Sequence, residues 1–250
     1  MQSCRALLLD LSGVLYEGSK VIDGAADVVR RARQRGLILR FVTNTATKPA
    51  AAIIEQLAGM DITIDKEELF TAPIAAIRYV EQQQLRPYCL VHRALRDEFA
   101  HLDRHDPNCV VLGDARDDLT YDALNHAFRL CIEGAPLIGI GMNKYFKDDD
   151  GLKLDAGAFI HAIEWAAGVE ATIMGKPGAA FFQQVVASTG CRADDCLMVG
   201  DDVQSDVIGA VDAGLRGCLV RTGKFRAGDE RQLPKGAEII DSIADLIPAT

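Results

Sequence analysis

The apolar run Leu7-Leu8-Leu9 ends abruptly at Asp10-Leu11-Ser12-Gly13. Consecutive leucines with no polar alternation read as a strand buried on both faces, as in a parallel sheet with layers packed on either side. In an open α/β sheet, ligands bind just beyond the carboxyl ends of the strands. Asp10 therefore stands where such a sheet places its chemistry. An aspartate there can equally cap a helix or complete a structural ion pair, and this stretch alone does not separate those readings.

The pattern recurs along the chain. Ala25, Val28, Val29 and Ala32 repeat at helical spacing within Ala25–Arg35, and Gly36 ends that helix. Leu37–Val42 is a second strand-like run, ending in Thr43-Asn44-Thr45. Pro49–Leu57 reads as a helix with proline in its first turn. Strand, helix, strand, helix is the opening of a parallel sheet. Between Ala75 and Ala171 the rhythm changes to a separate α/β unit. Its strand-like runs are Tyr88–Val91, Val110–Leu112 and Leu137–Ile140, with helical patterns at Tyr121–Cys131 and Ala156–Ala167. The first rhythm then resumes. Ala171–Met174 leads to Gly175-Lys176-Pro177, and a helix at Ala180–Ser188 leads to Cys196–Val199, which ends in Gly200-Asp201-Asp202. A helix from Ser205 to Ala213 follows, then Gly217–Val220 before Arg221-Thr222-Gly223-Lys224, an edge strand at Ile239-Ile240 and a short terminal helix. The expected organisation is a core in two segments, 1–74 and 172–250, with an α/β domain inserted at 75–171.

Four strand ends carry polar groups: Asp10 with Ser12, Thr43 with Asn44, Lys176, and Asp201 with Asp202. About 130 residues separate Asn44 from Lys176, whereas one βα step takes about 30, so an insertion must fill the gap. Carboxylates, a hydroxyl, an amide and a lysine along one sheet edge, closed by an insertion, read as a reaction site with a lid. Asp10 and Asp201 can hold Mg²⁺, which takes oxygen ligands. Lys176 can neutralise a bound anion, and Thr43, Asn44 and the backbone N–H groups after Asp10 can hydrogen-bond phosphoryl oxygens. Asp10 can itself attack phosphorus to give an aspartyl-phosphate that water cleaves. Each group also has a plainer role: Asp10 or Asp202 as a helix cap, Thr43 as a turn residue, Lys176 and Asp206 as solvated charges.

Charge and composition narrow the partners. The 250-residue chain carries a net charge of −9 and no run of Lys or Arg, which argues against a nucleic-acid surface. A phosphate substrate would need local compensation from a cation or aimed N–H groups. No apolar run approaches the length of a membrane span and no signal segment is evident, so neither membrane association nor export is expected. The seven cysteines form no C-x-x-C pair, and most lie in apolar runs. Reduced, buried thiols in the cytoplasm are expected, without a zinc site. All five histidines fall in the insertion, leaving the core without a histidine base. His101 and His105 can share a helix face as metal ligands, but their polar neighbours fit a solvated face better. Asn143, Lys144 and Tyr145 follow an insertion strand and read either as leaving-group contacts or as a plain loop. Lys147-Asp148-Asp149-Asp150-Gly151 lacks the acceptor spacing of a calcium loop and reads as a solvated turn.

Asp10-Leu11-Ser12-Gly13-Val14-Leu15, Thr43-Asn44, Gly175-Lys176-Pro177 and Gly200-Asp201-Asp202 with Asp206 resemble, in order, the four motifs of the haloacid-dehalogenase superfamily. The insertion resembles that superfamily's class IIA α/β cap. The resemblance implies a Rossmann-like parallel-sheet core with an inserted α/β cap domain, and a Mg²⁺-dependent phosphatase. It implies Asp10 as nucleophile and metal ligand, Ser12 as a backbone-carbonyl ligand and Asp201 as a direct metal ligand. Thr43, Asn44 and Lys176 would bind the phosphoryl group, together with the backbone at Leu11 and Ser12. Lys176 would also hold Asp10, while Asp202 and Asp206 would support the metal's waters and Lys176. The substrate would be a phosphorylated small molecule or phospho-amino acid, and relatives of the class suggest a cap-mediated homodimer.

One position departs from the superfamily pattern. Most of its phosphatases have a second aspartate where this chain has Ser12, and that carboxyl protonates the leaving oxygen. A serine hydroxyl is far too weak an acid to do so. An alkoxide leaves poorly unprotonated, whereas inorganic phosphate leaves as a stabilised anion and a phosphoramidate nitrogen can be protonated beforehand. Ser12 therefore biases the expected chemistry toward P–N and P–O–P bonds. The alternatives are a phosphate-ester phosphatase of the same class, as in its pyridoxal-phosphate or phosphoglycolate branch, and a phosphate- or phosphoprotein-binding module with little turnover.

Overall fold

The structure, a computed structural model, describes residues 4–148 and 151–247. By contact density the chain forms two compact units, described separately below. The first runs to Thr43, resumes over Ala50–Phe70 and takes in the chain from Phe182 onward; the second comprises Asn44–Pro49 and Thr71–Phe181.

The first unit is built on a six-stranded sheet. Its order is Glu238–Ile240, Arg216–Val220, Cys196–Gly200, Ala6–Asp10, Ile38–Thr43, Leu69–Thr71. Ala6–Asp10 pairs in parallel with Cys196–Gly200 on one side and Ile38–Thr43 on the other. All five of its residues are buried, and Leu7, Leu8 and Leu9 are 0% exposed. That central place explains the unbroken leucine run, since both faces need apolar cover. Burying each leucine contributes roughly 1.5–3 kcal/mol. The helix Ala25–Gln34 buries Ala25, Val28, Val29 and Ala32 and carries Asp27 in its first turn and Arg31 and Arg33 in its last, as the helix dipole favours. From Ala6–Asp10 the chain winds outward through Ile38–Thr43; its later half winds outward the other way from Cys196–Gly200. The order reverses between Ala6–Asp10 and Cys196–Gly200, which makes the crevice at their carboxyl ends a topological switch point.

The stretch after Gly200 departs from the simple helix expected from Ser205 onward. Val203–Ile208 is π-helical, and a short α-helix, Gly209–Asp212, follows. The Asp202 side chain accepts the N–H groups of Gln204 and Ser205 and so starts the turn. Wide turns of this kind cluster at functional sites. Tyr16–Glu17 and Lys20–Val21 form a small antiparallel hairpin.

The second unit is a four-stranded sheet in the order Thr172–Ile173, Leu137–Gly139, Cys109–Leu112, Pro87–Leu90, parallel throughout. Leu90, Val110, Leu112, Ala127, Cys131, Leu137, Ile160 and Ile163 share its core. Tyr121–Ile132 is capped by Thr120, and Ala156–Ala167 by Asp155. A further helix, Ala72–Gln82, is capped by Thr71 and has Pro73 in its first turn. Residue 75 therefore lies inside a helix. At the tract Lys147–Gly151, expected as a solvated turn, Tyr145–Asp148 and Gly151–Leu154 pair as antiparallel strands. Asp149 and Asp150 lie outside the described residues. Among the described residues no helix is long and apolar enough to cross a membrane.

All seven cysteines are free thiols. Burial pushes Cys109 and Cys218 up to about 12 and Cys131 and Cys196 up to about 11. The thiolate is the reactive form. These four are expected to resist a thiol reagent at about pH 8 until the protein is denatured; counting modified thiols before and after denaturation by mass spectrometry checks this.

Candidate active site

Asp10 is the last residue of the central strand and Asp201 directly follows Cys196–Gly200. Leu9 lies opposite Val199, so the two strands deliver their terminal carboxylates side by side. Asp206 reaches the same place from the π-helical turn. Asp10, Asp201 and Asp206 each offer a carboxylate oxygen, and these oxygens lie within 4.8 Å of one another. The three residues are 7%, 1% and 1% exposed.

Local sequence makes this crowding feasible. Gly13 has φ +85, and a Cβ there would lie 2.0 Å from Asp201 Oδ2. Only glycine lets the turn after Asp10 pass so close to the carboxylate. A Cβ on Gly200 would lie 2.2 Å from both Cβ and Oδ2 of Asp206. Asp206 Oδ2 accepts the Asp202 N–H at 3.1 Å, and Asp201 Oδ2 accepts the Lys224 N–H at 2.7 Å. The carboxylates are thus oriented by backbone donors.

Other expected residues of the first unit fall as follows. Thr43 ends Ile38–Thr43 and is buried; its strand neighbour Val42 lies opposite Asp10. Leu11 is buried and Ser12 is exposed. Asp202 acts as an N-cap, the plainer of its two readings. Tyr16 is half-buried; burial first, then the charge of Asp10, raises its phenol pKa, against a lowering hydrogen bond with Gln56.

In the second unit, Asn44 and Lys176 are joined by two hydrogen bonds. Asn44 Nδ2 donates to Lys176 O at 2.8 Å, and Lys176 N donates to Asn44 Oδ1 at 2.7 Å. Gly175 permits this, since a Cβ there would press within 3.2 Å of Asn44 Oδ1. Lys176 is 5% exposed, which rules out the solvated-lysine reading. The Asn143 and Lys144 carbonyls accept N–H groups of Gly157 and Asp155, and Tyr145 is exposed. His101 Nε2 lies 2.9 Å from Glu81 Oε1 rather than at a metal-type cluster. Asp206 brings a carboxylate oxygen into the cluster itself, and the Lys224 amide adds a donor that the sequence does not point to directly. The available signals were the Asp201–Asp206 spacing and the Thr-Gly pair at a strand end.

A hard cation suits this donor set. Three carboxylate oxygens are ligands of the type Mg²⁺ takes, and buried like charges this close need a counter-charge.

A doubly wound α/β protein with a carboxylate centre at its switch point is the class that fold and site define. Comparison with known proteins narrows it. A haloacid dehalogenase-like hydrolase family model matches residues 7–104, and a HAD-hydrolase-like model matches residues 173–246. The haloacid dehalogenase-like hydrolase domain-containing protein 2 of Homo sapiens is 42% identical over 236 residues, spanning 93% of this chain and 91% of that protein. The phospholysine phosphohistidine inorganic pyrophosphate phosphatase of Xenopus laevis is 41% identical over 234 residues, spanning 91% and 87%. The structure of a mutant thermostable p-nitrophenylphosphatase from Bacillus stearothermophilus superposes with a TM-score of 0.86 at 25% identity, covering 98% of both chains. The chain belongs to the haloacid-dehalogenase-like hydrolases and is a phosphatase of that family.

Proposed function

We propose that this protein is a Mg²⁺-dependent phosphohydrolase that works through an aspartyl-phosphate and acts on P–N or pyrophosphate bonds. The observation that carries the reading is the buried cluster of Asp10, Asp201 and Asp206 at the switch point. Asp10, Asp201 and Asp206 would hold Mg²⁺, with the Ser12 backbone carbonyl beside them, and the cation would relieve the repulsion between Asp10 and an incoming phosphate. An Asp10 oxygen attacks phosphorus; the O–P bond forms as the P–N or P–O bond breaks, and its electron pair leaves with the departing group. Water then attacks phosphorus, the Asp10 O–P bond breaks with its electron pair returning to the carboxylate, and the water's protons stay with the released phosphate. Thr43 and the backbone at Leu11 and Ser12 would bind the phosphoryl oxygens, and the family's pattern gives Asn44 and Lys176 the same role. Lys176 would supply local positive charge for a bound phosphate in a chain whose net charge is −9.

Ser12 directs the choice of bond. Its hydroxyl cannot protonate an alkoxide, so the reaction favours groups that leave as stabilised anions or already protonated amines. The name of the Xenopus laevis relative, which specifies phospholysine, phosphohistidine and pyrophosphate, supports this. A phosphate-ester reading draws support from the p-nitrophenylphosphatase neighbour. Nitrophenolate, however, leaves without a proton, so that substrate does not probe the missing acid. The homodimer implied by the class is part of this reading; exposed Tyr145, Leu152, Leu154 and Trp165 in the second unit support it.

The test is phosphate release from pyrophosphate, imidodiphosphate, phosphohistidine and an alkyl phosphate, with Mg²⁺ and with EDTA. The expected result is Mg²⁺-dependent release, fastest on the first three. Ser12→Asp is expected to raise alkyl-ester turnover relative to P–N turnover by about 10²-fold, the scale of one general acid. An unchanged ratio discards the argument from Ser12, and no release from any of the four favours a binding module.

A further inference from the structure

The loop after Arg216–Val220 takes no part in the chemistry above, yet three consecutive residues of it grip the site. Thr222 Oγ1 donates to the Gly13 carbonyl at 2.5 Å. Gly223 N donates to Glu17 Oε1 at 2.6 Å. Lys224 N donates to Asp201 Oδ2 at 2.7 Å. The anchors are the turn that follows Asp10, the Tyr16–Val21 hairpin and a carboxylate of the cluster. The loop lies so close that only glycine fits at 223: its φ is +66, and a Cβ would lie 2.1 Å from Asp201 Oδ2 and 2.5 Å from Gly13 Cα.

The Lys224 amide has no side chain to aim it. Its position depends on what fixes the loop, and Thr222 and Glu17 do so from the two preceding residues. We infer that Thr222 and Glu17 are positioning residues for the metal. They hold the loop whose Lys224 amide sets the rotation of the Asp201 carboxylate, and so set the affinity for Mg²⁺. The inference rests on the metal reading given under Proposed function. Hydrogen-bond partners of metal-binding side chains commonly change metal affinity 10–100-fold when removed. A loop that merely stabilised the fold would change the melting temperature and leave Mg²⁺ affinity alone.

Calorimetric titration of MgCl₂ into the wild type, Thr222→Val, Thr222→Ser and Glu17→Ala tests this, with a melting temperature for each. Thr222→Val and Glu17→Ala are expected to weaken Mg²⁺ binding about tenfold. Thr222→Ser, which keeps the donor oxygen, is expected to bind like the wild type. Wild-type affinity in Thr222→Val and Glu17→Ala overturns the inference whatever their melting temperatures, as does a Thr222→Ser protein as weak as Thr222→Val. Glu17 is exposed, so Glu17→Ala decides the matter if Thr222→Val does not fold. A wild type that binds no Mg²⁺ overturns the metal reading and this inference together; a wild type that binds it, with unaltered variants, overturns this inference alone.

Discussion

Asp10→Asn is expected to release phosphate from pyrophosphate at least about 10⁴-fold more slowly than the wild type, the scale of removing a nucleophile, which is the role proposed for Asp10. That is about 5.4 kcal/mol of transition-state stabilisation at 1.36 kcal/mol per tenfold. The amide nearly matches the carboxylate in size, so the central strand keeps its packing. What changes is charge and nucleophilicity. Asp10 is 7% exposed, and its oxygen lies within 4.8 Å of those of Asp201 and Asp206. Removing one of three clustered negative charges does not destabilise the metal-free protein, so its melting temperature in EDTA stays at or above that of the wild type. On the proposed reading, in which Asp10 is a Mg²⁺ ligand, the rise in melting temperature on adding Mg²⁺ is expected to shrink. Retained turnover in Asp10→Asn would remove Asp10 from the reaction. Lost turnover with a collapsed melting temperature would show that the change broke the fold instead.

Gly200→Ala is expected to lower stability by about 3 kcal/mol and to abolish Mg²⁺-dependent turnover. The added Cβ would meet Cβ, Oδ2 and Cγ of Asp206 at 2.2, 2.2 and 2.3 Å. Asp206 is 1% exposed and tied to the Asp202 N–H, and the neighbouring strands leave Gly200 no room to retreat. Overpacking of a filled core costs about 1–3 kcal/mol, and this site lies at the severe end. For a chain of this length that is about 6–12 °C in melting temperature. Gly59→Ala is the control. Its new Cβ would meet only backbone oxygens at 3.5 and 3.6 Å, so its stability changes by less than about 0.5 kcal/mol. Equal losses at the two positions would show that glycine flexibility, rather than the contact with Asp206, causes the effect.

Much of this site is written locally. Leu7–Leu9 is apolar without alternation because the strand is covered on both faces, and the change to Asp10 marks where that cover ends. The same logic locates Thr43 and Asp201 at strand ends of the six-stranded sheet, whereas the strand before Lys176, Thr172–Ile173, expected in the core, pairs in the second unit's sheet. The Asn44–Lys176 interval signals an insertion. These features depend on hydrophobic periodicity, which a single chain displays residue by residue. Helix starts at capped, amphipathic segments such as Ala156–Ala167 are legible for the same reason. The helix at Ala72–Gln82 is less legible, because the capping Thr71 and Pro73 lie where a strand runs straight into a helix, with no loop to punctuate them.

Other features depend on contacts between distant segments, and periodicity carries no record of those. Asp206 joins Asp10 and Asp201 only because the turn from Asp202 widens into a π-helix over Gly200. The double hydrogen bond between Asn44 and Lys176 spans 132 residues. Thr222, Gly223 and Lys224 reach Gly13, Glu17 and Asp201 across as many as 209 residues. Residue pattern determines which side chains arrive at the carboxyl edge of the sheet. The reversal of strand order beside Ala6–Asp10 decides which of them meet, because that reversal brings two halves of the chain to one crevice within hydrogen-bonding distance.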